Sequence, residues 1–319
     1  MISLKDTPLR PPQGGISDGG NFEKSPFEGG AGDVFEGGAG DVFATDTPLR
    51  PPQGGISVRL IDKYEIAYAP SASMLRFVLR RERENTGRFF AAANPDRSLV
   101  FTDMEVENIA TYFPESKKIL WHGKTTKAAV MTHTKTADAV HFSCHGKFEF
   151  ENPLSSKLFL ADEDLTLKDI FAALRLPRTD IAVLSACETG MVELEAGDEY
   201  IGLPSGFLFA GACSVVSALW AVEDFSTHLL MQIFYDKMHK QNMGKAAALR
   251  AAQHEVRDMR AKDIRPHLER YIENAERQDR SPSLKIRGKH IQYNALPDDE
   301  QPFAHPYYWG AFVCSGAWD

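Results

Sequence analysis

Cysteine is scarce in this chain, and the spacing of the few present is informative. Only four, Cys144, Cys187, Cys213 and Cys314, occur in 319 residues, far apart and with no CxxC pair. Neither a disulfide framework nor a zinc ribbon is indicated, and a reducing, cytoplasmic location is expected. Net positive charge is lacking too: the formal charge of -8 argues against a nucleic-acid surface. The N-terminal MISLKDTPLR has no apolar core of a secretory signal. One uncharged run, residues 202–222 (GLPSGFLFAGACSVVSALWAV), has the length to cross a bilayer. Pro204, Gly206 and Gly211 interrupt it, and helix-like Phe207-Leu208-Phe209-Ala210 gives way to β-branched Val215-Val216. A buried helix, a turn at Gly211 and a buried strand are expected there, with no membrane span.

What is present divides near residue 57. DTPLRPPQGGIS at 6–17 recurs unchanged at 46–57, and FEGGAGDV at 27–34 recurs at 35–42. Units this rich in Gly and Pro cannot bury enough apolar surface to offset the entropy of ordering, so residues 1–57 are expected to be a disordered low-complexity tail. The units are also too short to stack as a solenoid.

From residue 58 onward, short apolar runs alternate with amphipathic segments, the pattern of an α/β protein with a mainly parallel sheet covered by helices. Strands are predicted at 58–68, 88–93, 118–121, 138–143, 157–160, 180–185, 213–219 and 310–315. One helix is predicted to start at Pro70-Ser71, with Met74, Leu75, Val78 and Leu79 on its apolar face, and to stop near 85–87. Another is predicted to follow Asp224, burying Phe225, Leu229, Leu230, Ile233, Phe234 and Met238, with Gly244 at its far end. Residues 257–300 are highly charged without a clear apolar period and are expected to form an exposed insertion.

The segment HFSCHG, residues 141–146, concentrates the chemistry. Ala139-Val140-His141-Phe142-Ser143 is strand-like and Gly146 ends it, which places His145 at the strand's carboxyl lip. Ile181-Ala182-Val183-Leu184 likewise runs into SACETG and places Cys187 at the same kind of edge. Open parallel sheets gather ligands outside the carboxyl ends of their strands, so His145 and Cys187 can meet there. An imidazole beside a thiol makes the thiolate and returns the proton to a leaving amine. Gly146, lacking a side chain, lets its N–H approach a carbonyl closely, and with the Cys187 N–H it can form an oxyanion hole.

Other assignments compete with this one. Cys187 can equally be core filler. Cys144 points away from His145, because strand neighbours alternate, whereas His141 shares its face and is a weaker candidate for base or orienting group. His141, Cys144, His145 and Cys187 match no common metal-site spacing, and no metal or cofactor is called for. GLPSG at 202–206 places Pro204 where a nucleophile elbow needs serine, so Ser205 is expected to be structural. Glu188, Glu193, Glu195, Asp198 and Glu199 are expected to face solvent in a mobile loop after Cys187, with gating of the cleft as the alternative.

VHFSCHG, VLSACETG, GDEYIGLPSGFLFAGACSVVSALWAVED and HPYYWGAFVCSG, in this order, resemble the CHAT domain, the caspase-like domain often associated with tetratricopeptide repeats. That family belongs with the caspase, separase and gingipain type of cysteine peptidases, and the likeness covers roughly residues 58–318. It implies a caspase-like α/β/α sandwich, His145 and Cys187 as the catalytic pair, and cleavage of protein or peptide substrates. Likeness to separase-type members implies that Asp224, with Glu223 as a lesser substitute, recognises Arg or Lys before the scissile bond through charge-assisted bonds. Asp224 also sits where a helix N-cap belongs, which by itself explains an Asp. The chain departs from the family pattern in two ways. Repeats stand where the first part of the domain is usual, and there are no tetratricopeptide repeats, which a regulatory partner would supply in trans. A catalytically silent signalling or scaffold module and a truncated remnant stay open as alternatives.

Overall fold

In the segment Phe89-Phe90-Ala91-Ala92-Ala93, Phe89, Ala91 and Ala93 enter one core cluster while Phe90 and Ala92 enter another. Such a segment must lie between two apolar layers, since strand side chains alternate between faces. The computed structural model describes residues 2–4, 59–81, 87–186, 189–191, 193–194, 200–277 and 283–319. These belong to one unit, Met1–Lys5 with Ile56–Asp319. The internal repeats lie outside the described residues, and so does the rest of the expected disordered tail except residues 2–4, which pair as a strand with residues 66–68.

Apart from short 3-10 turns, the chain order begins β1 (Ile2–Leu4), α1 (Leu60–Lys63), β2 (Ile66–Tyr68), α2 (Ala72–Leu79), β3 (Arg88–Ala93), α3 (Thr102–Ala110), β4 (Ser116–Trp121), α4 (Lys127–His133) and β5 (Ala139–Ser143). A small antiparallel sheet follows, made of β6 (Gly146–Lys147), β7 (Lys157–Leu158) and β8 (Leu165–Thr166). Next come α5 (Leu167–Ala173), β9 (Ile181–Ser185), the pair β10 (Glu193–Leu194) and β11 (Tyr200–Ile201), α6 (Leu203–Ala210) and β12 (Ser214–Ala218). Helices α7 (Asp224–Lys240), α8 (Lys245–Asp258), α9 (Ala261–Arg277) and α10 (Leu284–Asn294) precede β13 (Phe312–Gly316).

The central sheet has the order β1-β2-β13-β12-β9-β5-β3-β4. Strands β4, β3, β5, β9 and β12 run parallel, whereas β13 and β2 run the opposite way. One face packs on α3, α7 and α8 through residues such as Val106, Phe234 and Leu249; the other packs on α4, α5 and α6 through Val130, Ile170 and Phe207. The protein is an α/β/α sandwich, as the family resemblance implied, built on the mainly parallel, helix-covered sheet expected from the alternation.

Local chemistry explains where the expected elements shift. The predicted strand 58–68 begins with helix α1 instead, because Asp62 accepts the Arg59 N–H at 2.8 Å and closes a helical turn, and strand pairing starts only at Ile66. The predicted strand 157–160 reaches only Leu158, and it pairs in the small sheet rather than the central one. Helix α2 starts as expected, with Ser71 Oγ accepting the Met74 N–H at 3.1 Å, but it ends at Leu79. Of its predicted apolar face, Val78 is buried and Leu79 lies exposed. Helix α7 ends at Lys240 rather than near Gly244, because Asn242 takes a left-handed turn (φ 52°) and Gly244 instead caps the start of α8. Residues 202–222 form α6, a turn at Gly211 (φ 121°) and β12, as expected. No helix among the described residues is long and apolar enough to cross a membrane. The charged stretch 257–300 is less exposed than its composition suggests: Ile264 and Leu268 of α9, with Ile286 and Tyr293 of α10, join the core.

Candidate functional site

Register aligns the carboxyl ends of two strands. On the parallel strands β5 and β9, Ser143 pairs with Ser185 as the last matched residues. His145 stands two residues beyond the first. Cys187 stands two residues beyond the second and, with Glu188, lies outside the described residues. The chain resumes at buried Thr189, whose Oγ1 accepts the Ala218 N–H at 3.2 Å, and the Gly190 N–H donates to the Ala218 carbonyl at 2.7 Å. The loop after β9 is thereby tied to the end of β12.

His145 is 42% exposed, and its Nε2 lies 2.6 Å from Ser98 Oγ. Ser98 Oγ donates in turn to Asp96 Oδ1 at 2.8 Å, an oxygen that also accepts the Ser98 N–H at 3.1 Å. A hydroxyl has one proton to give, so with that proton on Asp96 the Nε2 must be the donor to Ser98, which leaves the Nδ1 lone pair for another group. Burial works to raise the Asp96 pKa, but the Ser98 bonds and the charge of His145 hold it below the usual carboxylate value.

The loop carrying Ser98 follows β3 and is held at several points. Asn94, itself at φ 47°, donates its N–H to the Ser143 carbonyl at 2.8 Å and its Nδ2 to the Leu99 carbonyl at 2.8 Å, while its Oδ1 accepts the Leu99 N–H at 3.1 Å. Sequence reasoning does not single out Asp96 or Ser98. The available signal is the turn-forming Asn94-Pro95-Asp96 at the carboxyl end of a neighbouring parallel strand.

His141 is fully buried among other partners. Its Nε2 lies 2.9 Å from Glu105 Oε1, which also accepts from Ser143 Oγ at 2.9 Å, and its Nδ1 lies 3.3 Å from the Tyr235 hydroxyl. Burial works to raise the Glu105 pKa, but the bond and charge of His141 outweigh it and hold the carboxyl below its ordinary range. Burial of Tyr235 pushes its hydroxyl up, and burial of nearby His228 pushes that imidazole down to about 4. Cys144 is buried on the opposite sheet face from His141. Cys314 is buried as well, which pushes its thiol up to about 12.

Gly146 opens β6 and pairs with Leu158. Because the Phe159 N–H donates to the His145 carbonyl at 2.9 Å, the Gly146–Leu158 pair is the non-hydrogen-bonded kind, and the Gly146 N–H points away from β7. Glu223, rather than Asp224, caps α7: its Oε2 accepts the Ser226 N–H at 2.7 Å, and its Oε1 pairs with Lys289 at 2.8 Å. Asp224 Oδ2 accepts the N–H groups of Val100 at 2.9 Å and Phe101 at 3.1 Å, fastening α7 to the loop that carries Ser98. Burial pushes Asp224 up to about 6, against the pull of those two bonds. Ser205 exchanges hydrogen bonds with the Gly202 backbone at the start of α6, a structural role. Of the acidic stretch, Glu188, Glu195, Asp198 and Glu199 lie outside the described residues, and Glu193 begins β10.

The parallel strands, the two helical layers and the polar loops at one rim define an α/β/α protein with a candidate site at the strand ends. The CHAT-domain family model matches residues 45–317, and the chain belongs to the CHAT-domain family. The match begins before residue 58 and takes in the second copy of the repeat. No curated protein matches the sequence. Among solved structures, the chain is similar to the Saccharomyces cerevisiae separase–securin complex, with 16% identity, a TM-score of 0.48, and coverage of 60% of this chain and 12% of that one. It is also similar to the Arg-specific cysteine proteinase gingipain R (RGPB), with 8% identity, a TM-score of 0.43, and coverage of 78% and 48%. The pro- and mature domains of RgpB from Porphyromonas gingivalis match with 8% identity, a TM-score of 0.41, and coverage of 57% and 48%. The chain thus spans about an eighth of the separase chain and about half of the gingipain chains.

Proposed function

We propose that the protein is a cysteine endopeptidase in which His145 activates Cys187. The observation that carries this reading is the matched pair Ser143–Ser185. His145 and Cys187 each come two residues after it in the sequence, and the two strands are neighbours spaced about 4.8 Å apart, which supports a meeting of the two side chains. Nδ1 of His145 takes the thiol proton, and the thiolate attacks the carbonyl carbon of a peptide bond. The oxyanion accepts from the N–H groups of Gly146 and Cys187. Collapse breaks the C–N bond, the imidazolium protonates the leaving amine, and water activated by His145 hydrolyses the thioester to the free acid. Ser98 and Asp96 position the ring and stabilise its charged form without touching substrate.

Asp224 is the carboxylate for an Arg or Lys side chain before the scissile bond, with Oδ1 meeting the cation while Oδ2 holds the loop. Glu223 serves less well, because both its oxygens already have partners. With Asp224 pushed up to about 6, acidification neutralises it and removes the attraction. The preference for an Arg peptide over a matched neutral peptide is expected to fall about tenfold between pH 7 and pH 5, following the ionised fraction. Taking the ratio of kcat/KM for the two peptides cancels pH effects common to both. A pH-independent ratio would remove Asp224 from the specificity pocket.

The direct test of the mechanism is an Arg-ending peptide bearing a thiol-reactive chloromethyl ketone, with the adduct located by mass spectrometry. Labelling is expected at Cys187; labelling only at other cysteines, or none, would overturn the reading.

A further inference from the structure

On the same rim, one strand beyond β9, the end of β12 leads into a cavity of about 270 Å³. Its apolar walls are Ile66, Leu219, Trp220, Leu249, Trp309 and Phe312. The topology explains the position. Leu219 and Trp220 directly follow β12, and because β13 and β2 run opposite to β12, their first residues Phe312 and Ile66 begin at this same edge. Helix α8 closes the floor through Leu249. The Trp220 Nε1 donates to the Tyr307 carbonyl at 3.2 Å, and the guanidinium groups of Arg59 and Arg257 lie 5.6 and 5.9 Å from the Trp309 ring centroid. Both indoles are thus held in place before anything binds.

We infer that this cavity is a second specificity pocket, which takes a large aliphatic or aromatic side chain of the polypeptide substrate about three residues to the N-terminal side of the cleaved bond. The inference rests on the proposed peptidase reading and adds a determinant to it. Three observations support the assignment. Buried bonds, from the Gly190 N–H to the Ala218 carbonyl and from the Ala218 N–H to Thr189 Oγ1, anchor the chain just after Cys187 at the foot of the segment that forms the pocket wall. From β9 across β12 to β13 is two strand spacings, roughly 10 Å, which an extended chain covers in about three residues. The segment that leads out of the wall at Leu219 and Trp220 also carries Asp224, proposed above for the residue just before the scissile bond, and this places the cavity on the acyl side. Apolar side chains predominate among its walls, and of the polar ones Arg250 and Gln253 are bonded to the carbonyls of Ile61, Asp62 and Phe312, which favours apolar occupants.

The test uses the full-length protein and Arg-containing peptides that differ only at the third and fourth residues before the Arg-X bond. Phe or Leu at one of these positions is expected to raise kcat/KM about 10- to 100-fold over Gly, the range typical of burying one such side chain. Trp220→Ala, which removes a wall, and Val313→Arg, which fills the cavity from a half-exposed position, are each expected to bring the Phe-to-Gly ratio near one, with circular dichroism used to confirm the fold. Binding is read separately from cleavage by the fluorescence of Trp220 and Trp309 in Cys187→Ala protein titrated with the same peptides. Cleavage without apolar preference overturns this pocket and leaves the peptidase reading standing. Apolar-selective quenching without cleavage by the parent overturns the peptidase reading and with it the pocket's role in cleavage specificity.

Discussion

Replacing Cys187 by alanine is expected to lower kcat/KM for an Arg-containing peptide by about 10⁴-fold or more, the scale seen when a covalent nucleophile is removed. Alanine is close to cysteine in size, so the variant should fold as the parent does. It retains the Gly146 N–H and the His145 base, and only slow attack by water on a bound substrate is left. The measurement is steady-state cleavage by parent and variant, with peptide binding followed in parallel. Equal rates would end the proposed mechanism. Unaltered partner binding by the variant, together with a parent that cleaves nothing, would favour a scaffold.

Loss of the buried carboxylate beneath the site should have the largest effect on stability. Glu105→Ala is expected to cost about 3–5 kcal/mol, because it leaves His141 and Ser143 without their shared acceptor in the core. In a domain of this size that amounts to a fall in Tm of order 10 °C, readable by calorimetry. Glu105→Gln, which keeps an acceptor oxygen, should lose less. The sign of the pH dependence follows from the lowered carboxyl: the contribution is present above the unfolded-state value of about 4.3 and is lost as pH falls through the lower folded-state value. A parent and Glu105→Ala with the same Tm at pH 7 would show that the pair contributes nothing. Activity should weaken along with stability, since Glu105 lies on α3 and the loop that presents Ser98 to His145 leads directly into that helix.

The elements most legible in the sequence are those governed by local periodicity. The runs 88–93, 138–143 and 180–185 show β-type residue patterns whatever they pair with, and the small residues that follow two of them mark where the strands end. The pattern of residues 139–146 therefore suffices to put His145 and Gly146 at a strand end and Cys144 on the opposite face. Gly211 separating a helix from a strand is legible for the same reason, as is the cap at Ser71. Where the pattern is sparse, it misleads. Asp62 turns part of an expected strand into a helical turn, and Ile264 and Leu268, four residues apart among charges, resemble surface positions although they pack in the core.

By itself, then, the sequence determined the layered α/β architecture and the two strand ends followed by histidine and cysteine, because a backbone period depends only on neighbours along the chain, while its motifs carried the resemblance to the family. Tertiary structure alone decided which distant groups meet. It set Ser98 and Asp96 against His145, committed His141 to Glu105 in the core, fastened Asp224 to Val100 and Phe101, and opened an apolar cavity at the edge of β12. The reason is physical: strand order and register fix which loop tips come within hydrogen-bond reach, and those pairings join segments whose separation along the chain leaves no periodic trace.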